Sequence, residues 1–148
     1  MTDPLPQVDF YLLTASDPTE RLRFACRVTE KAYQRGHRVQ VRLDSDEALQ
    51  RFDQLLWTFR PASFVPHERC GYGTQPMSPV CLGRLDTVLP GDVLVNVTDR
   101  LPPDWWTGVS RITEILTDDP ECRAGGRARY RAYRDAGAQV TSHAMGAG

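Results

Sequence analysis

Val8-Asp9-Phe10-Tyr11-Leu12-Leu13, followed by Thr14-Ala15-Ser16-Asp17-Pro18 and then by Val39-Gln40-Val41-Arg42-Leu43, is the part of the chain that decides its fold. The first segment is a short apolar run of the kind buried in a parallel sheet. Asp17 is placed to cap a helix, with Pro18 at the first position and Glu20 three residues after the cap. Leu22, Ala25, Cys26, Val28, Ala32 and Tyr33 recur at helical spacing, and Gly36 stands where a C-terminal glycine belongs. Val39, Val41 and Leu43 then alternate as a second strand. The stretch predicts a βαβ unit, its two strands parallel and joined by a helix from Thr19 to Arg35.

Downstream, a second helix is predicted from about Ser45 to Trp57, burying Leu49, Phe52 and Leu56 and ended by Pro61 and Pro66. Arg60 to Pro79 reads as a long loop rich in Gly and Pro, and Pro79 to Leu85 as an edge strand. Asp92 to Val97 is a clearer strand, entered through Pro90-Gly91. Leu101 to Gly108 is a proline-bearing connection, and Arg111 to Leu116 reads equally as a strand or as the end of a short helix. Asp119-Pro120 opens a last helix that Gly137 closes. With no internal repeat and no linker, the 148 residues predict one domain, 1–148, built as a layered α/β sheet with helices on both faces.

A composition of 41% hydrophobic and 25% charged residues excludes a disordered chain. No apolar run approaches the roughly 20 residues that span a bilayer, so no membrane is expected. Met1-Thr2-Asp3-Pro4 lacks the basic and apolar regions of a secretory signal, which points to the cytoplasm. Cys26, Cys70, Cys81 and Cys122 are scattered and read as reduced thiols. His67 and Cys70 form one HxxC pair, but a structural zinc site wants a second pair, so no metal is expected from that spacing. A net charge of −1 gives no overall attraction to nucleic acid.

A layered α/β sheet invites a nucleotide. The turn after the first strand, Thr14-Ala15-Ser16-Asp17-Pro18, has no glycine to let the backbone approach a pyrophosphate, and Asp17 stands where the anion would sit. Asp44, at the end of the second strand, reads as a helix cap rather than a ribose ligand. There is no phosphate-binding GxxxxGK[ST], no GxSxG elbow and no HExxH. No cofactor and no catalytic group is expected.

Two stretches stand out instead. Leu55-Leu56-Trp57-Thr58-Phe59-Arg60-Pro61-Ala62-Ser63-Phe64-Val65-Pro66-His67 packs aromatics and prolines across a helix end. Such residues either cover the sheet edge as core or form a rigid apolar patch for a partner. In the second stretch, Arg123 to Arg134, five arginines crowd a chain whose single lysine is Lys31. On a helix Arg123, Arg127, Arg131 and Arg134 share one face with Tyr130, whereas Arg129 points elsewhere and Tyr133 packs inward. A same-sign row of this kind is either a solvated face or a recognition surface for carboxylates, with nucleic acid as the alternative target.

Phe10-Tyr11-Leu12-Leu13, Leu56-Trp57 with Ser63-Phe64-Val65-Pro66-His67, and Arg127-x-Arg129-Tyr130-Arg131-x-Tyr133-Arg134-x-x-Gly137 together closely resemble the chi subunit family of bacterial DNA polymerase III holoenzyme. The similarity runs from about Val8 to His143. It implies a single Rossmann-like domain, mostly parallel and without a nucleotide site, acting as a non-catalytic accessory subunit in DNA replication. It also implies two partners and only indirect contact with DNA. The psi subunit, tethered to the clamp loader, would form a heterodimer with an otherwise monomeric chain at Trp57, Phe64 and Val65. The C-terminal tail of single-stranded-DNA-binding protein, acidic with an apolar side chain and a free carboxylate, would bind at Leu116, Arg123, Arg127, Tyr130 and Arg131. Two departures are visible: Gly125-Gly126, which weakens the first turn of the last helix by about 1 kcal/mol per glycine and leaves Arg123 less well held than Arg127, and the Glu68–Ser78 loop, which receives no role.

Overall fold

In a computed structural model describing residues 4–70, 77–87 and 89–145, the chain forms a seven-stranded sheet flanked by three helices. The elements are β1 (Gln7–Leu12), α1 (Pro18–Gln34), β2 (Val39–Leu43), α2 (Asp46–Thr58), β3 (His67–Arg69), β4 (Val80–Arg84), β5 (Val93–Asn96), β6 (Arg111–Leu116), α3 (Pro120–Asp135) and β7 (Gln139–Ala144). The strand order is β3-β4-β2-β5-β6-β1-β7, and every pairing is parallel. β1 and β2 are parallel and joined by α1 as the opening stretch predicts, with β5 and β6 inserted between them. Parallel strands need covered faces. Alternation of side chains along each strand therefore sends Val39, Val41, Leu43, Val93 and Val95 toward α1 and α2, and Val8, Phe10, Leu94 and Ile112 toward α3.

The helix starts follow their caps. Asp17 accepts from Thr19 N at 2.9 Å, and Pro18 opens α1. The cap of α2 is Ser45, which accepts from Ala48 N at 3.0 Å, so Asp44 is not the cap that the sequence suggested. Asp119 caps α3 through Cys122 N at 3.0 Å. α1 buries Leu22, Ala25 and Cys26, and α2 buries Leu49, Phe52 and Leu56, all against the same face of the sheet.

Three expectations need correction, and one open choice, at Arg111–Leu116, is decided in favour of the strand. The segment at Val80–Arg84 is not the edge: β3, only three residues long and lying inside the stretch read as loop, pairs outside it. Arg111–Leu116 is a strand near the sheet centre, paired on both sides. The second edge, β7, was not expected; its residues are largely polar and exposed, so it carries no apolar alternation. Finally, the Gly125-Gly126 pair does not fray α3. A Cβ at Gly126 would come 2.2 Å from Leu116 Cδ1, so the glycine lets the helix lie directly on β6.

Candidate functional site

α3 crosses the end of the sheet with an inner and an outer face. Inward, Arg129 and Tyr133 are buried and converge on Glu114 of β6, which is fully enclosed. Arg129 Nε reaches both Glu114 oxygens at 3.2 Å, Tyr133 Oη donates to Oε2 at 2.7 Å, and Asn96 Nδ2 donates to the same oxygen at 2.9 Å. Burial pushes the Glu114 carboxyl up, while Arg129, Asn96 and Tyr133 pull it down; burial is the larger effect. Tyr133 also meets Trp105 edge-on, with ring centroids 5.0 Å apart. Arg129 is therefore not one more member of a solvated row. Nothing in the local spacing announces it, because its partner lies on a strand 15 residues earlier.

Outward and toward β1, the same helix walls a cleft of about 430 Å³ lined by Phe10, Leu12, Leu116, Gly126, Tyr130 and Ser142 with Arg123, Arg127 and Arg131. The floor is apolar because Phe10 and Leu12 of β1 and Leu116 of β6 all point to the α3 side. Tyr130 leans on Phe10 with ring centroids 5.4 Å apart. The structure thus brings together Leu116, Arg123, Arg127, Tyr130 and Arg131. Arg123 differs from its neighbours in being held: its Nε donates to Thr117 O at 2.6 Å and its Nη2 to Leu13 O at 2.8 Å. These are carbonyls at the ends of two adjacent strands, so the residue doubted for its glycines is the best anchored. Arg127 and Arg131 are exposed and make no ion pair among the described residues.

The other stretch lies at the opposite edge. Trp57 is 52% exposed and Phe64 64% exposed, their ring centroids 5.6 Å apart, and Trp57 lies 4.7 Å from the His67 ring. Val65, grouped with them from the sequence, is instead buried in the core beneath α1 and α2, where it pins the turn. Glu30 of α1 adds to this by pairing with Arg60 and accepting from the Ser63 hydroxyl. His67 donates through Nδ1 to Val65 O and meets Asp53 Oδ1 through Nε2, each at 2.7 Å. Ala62 takes a left-handed backbone conformation at φ 63°, which costs a non-glycine residue about 1–2 kcal/mol. An aromatic pair is held outward on a turn tied to three elements.

The turn after β1 runs from Leu13 to Asp17 without a glycine and leads into α1. Arg21 occupies the neighbouring strand ends, donating to Ile115 O, Thr98 O and Asp99 Oδ1 at 2.8, 2.8 and 3.0 Å. Asp44, Asp99 and Asp119 line the crevice beside it together with Arg21 and Arg51. Among the described residues no helix is long and apolar enough to cross a membrane.

Comparison with known proteins agrees with this fold. In fold, the chain resembles the crystal structure of T4 UvsW with a TM-score of 0.70 at 7% identity, over 94% of this chain and 41% of that one, a likeness of architecture alone. In sequence, it is 32% identical to the DNA polymerase III subunit chi of Pseudomonas aeruginosa, over 95% of this chain and 98% of the relative. It is 25% identical to the subunit of the same name from Escherichia coli, over 86% and 90% of the two chains. The family's name is that of a polymerase subunit, which accords with reading the chain as an accessory protein and not an enzyme. The model of the family described as DNA polymerase III chi subunit, HolC, matches residues 5–141, and this chain belongs to that family.

Proposed function

We propose that this subunit bridges two proteins of the replication machinery, holding the C-terminal tail of single-stranded-DNA-binding protein in the α3 cleft and a psi-type subunit of the clamp-loader assembly at the Trp57–Phe64 turn. The observation that carries this reading is the cleft itself, an apolar floor under three arginines. An acidic peptide with a terminal apolar side chain and a free carboxylate matches both features, because guanidinium groups bind carboxylates as forks. A phosphate backbone would use the arginines and leave Phe10, Leu12 and Leu116 without a role, which favours the peptide over nucleic acid.

The placement of the two surfaces supports a bridge. One lies beside β3 and the other over β1 and β6, so about five strand spacings, on the order of 24 Å, separate them. Two partners at that separation need not compete. DNA contact would then be indirect, through the bound protein.

The test is titration with a tail peptide and with the same peptide amidated at its C-terminus. The free acid should bind, and amidation and Arg127→Ala should each weaken it about tenfold or more, equivalent to about 1.4 kcal/mol. Unchanged affinity in both would reduce the outer arginines to a solvated face, and a steep salt dependence insensitive to amidation would assign them to nucleic acid. Trp57→Ala should weaken the psi-type partner by about 2 kcal/mol or more and leave tail binding untouched.

A further inference from the structure

The HxxC pair visible in the sequence is not a pair in the fold. His67 is committed to Asp53 and Val65, and residues three apart on a strand face opposite ways. Glu68 and Cys70, two apart, face the same way. The register sets Glu68 opposite Cys81 of β4, and Cys70 N donates to Leu82 O at 2.8 Å, carrying the alignment one residue past the end of β3. A carboxylate oxygen and two sulfurs are thereby gathered within 4.8 Å of one another. Both cysteines are free thiols; Cys81 is buried, while Cys70 and Glu68 are half-buried, so the cluster opens to one side. Glu68 Oε1 accepts from Met77 N at 2.6 Å and from Ser78 N at 3.2 Å, which orients the carboxylate from behind.

We propose that Glu68, Cys70 and Cys81 form a binding site for a thiophilic divalent cation of the zinc class, stapling edge strand β3 to β4. Two sulfurs select a soft or borderline metal over calcium or magnesium, and a carboxylate is an accepted third ligand with water in the fourth position. Metal–sulfur bonds of about 2.3 Å and metal–oxygen bonds of about 2.1 Å place tetrahedral ligands about 3.5–3.8 Å apart, so the donors need close by only about an ångström. The backbone donors on Glu68 are the outer-shell support such ligands normally have. β3 has the most to gain. It is three residues long, pairs on one side only among the described residues, and carries His67 against Trp57. A cation there would stiffen the strand from which the aromatic turn is held, on the side away from His67.

Titration of the full chain with Co²⁺, after reduction with a phosphine and removal of metal by a chelator, tests this directly. One equivalent should bind with a thiolate-to-cobalt charge-transfer band in the near ultraviolet, and Zn²⁺ should bleach it. Cys81→Ser and Cys70→Ser should each abolish or strongly weaken the band, and Glu68→Gln should weaken Co²⁺ binding about tenfold or more, given that even outer-shell partners cost about 10–100-fold. Cys26→Ala should leave the titration unchanged. Cys70→Ser, at a half-buried position, carries the test if Cys81→Ser does not fold. No band in the reduced protein, a band that survives loss of either sulfur, or an unchanged titration for Glu68→Gln would each overturn the site.

Discussion

The two faces of the sheet are filled by different chemistry. Under α1 and α2 the core is mainly apolar, from Leu22 and Cys26 through Phe52 and Leu56 to Val41 and Val95, with Glu30 of α1 a buried charge at its margin. On the opposite face, where α3 is the only helix among the described residues, buried charge lies beside the apolar cluster. Arg42 is 1% exposed and bonds Gln40 Oε1, Leu85 O and both oxygens of Asp104, while Arg129 and Glu114 meet under the helix. Where it is apolar, the first face tolerates side chains of suitable volume and pattern. The second fixes partners, because each buried polar group must find its acceptor or donor. That difference has a use: Glu114 ties α3 to β6 through Arg129 and Tyr133, Arg42 ties the Trp105 loop to β2 through Asp104, and α3 is the wall of the cleft.

The largest effect that would break this contrast is removal of one member of the buried pair. Glu114→Ala leaves the Arg129 guanidinium charged and enclosed, and its two Nη atoms already lack protein partners among the described residues. The expected loss is about 3–5 kcal/mol, read as a fall in the urea midpoint at constant slope. Replacing both members with apolar residues, Glu114→Leu with Arg129→Met, should recover most of that loss. If Glu114→Ala costs less than the double variant, the pair is not what organises this face. Arg129→Ala removes the other member from an equally buried position and should also destabilise the fold.

A smaller effect separates packing from recognition in the cleft itself. Gly126→Ala drives a methyl into Leu116, which is enclosed and cannot simply swing away. Overpacking of this kind costs about 1–3 kcal/mol, and here it should also lift α3 from the floor that Leu116 provides. Thermal unfolding and tail-peptide titration should therefore both deteriorate. Arg131→Ala, at an exposed position, should stay within about 0.5 kcal/mol of the parent in stability while still weakening the peptide. Equal behaviour of the two variants would remove the distinction between wall and rim.

The sequence is most legible where local signals agree with burial. β1, α1 and β2 carry caps, a closing glycine and apolar periodicity, and these signals put all three within a residue or two of where they stand. The two edges failed for opposite reasons: β3 is too short to have a period, and β7 is too exposed to show one. Within the site, the shared face of Arg123, Arg127, Tyr130 and Arg131 follows from helical geometry and could be read directly. The floor could not, because Phe10, Leu12 and Leu116 meet only once β1 and β6 are side by side. The same limit hid the Arg129–Glu114 pair and the Glu68–Cys70–Cys81 cluster, since each joins residues on different elements. Helical phase gives direction but not burial, so it could not tell an arginine of the core from one of the rim.

The smallest effect expected on the polar face is one of pH, and it discriminates between its two acids. The Arg42 guanidinium, hydrogen-bonded to both oxygens of Asp104, holds that carboxyl below its ordinary value against a weaker upward push from burial. A carboxyl depressed in the folded state stabilises the fold above its unfolded pKa of about 3.9, and this contribution is lost as pH falls through the folded value. Glu114 has the opposite sign. Its carboxyl is raised by burial, so the folded state holds the proton more tightly, and its contribution declines as pH climbs through the range above about 4.3. Asp104→Asn should therefore flatten the stability profile on the acid side, below about pH 4, by about 1 kcal/mol or less for a partly exposed pair. Glu114→Gln should flatten it on the other side while keeping much of the hydrogen bonding. Urea midpoints between about pH 2.5 and 7, spanning both carboxyl ranges, would separate the two. If Asp104→Asn instead leaves the acid limb as steep as in the parent, Arg42 draws its support from Gln40 and Leu85, and the Asp104 contact is incidental to this face.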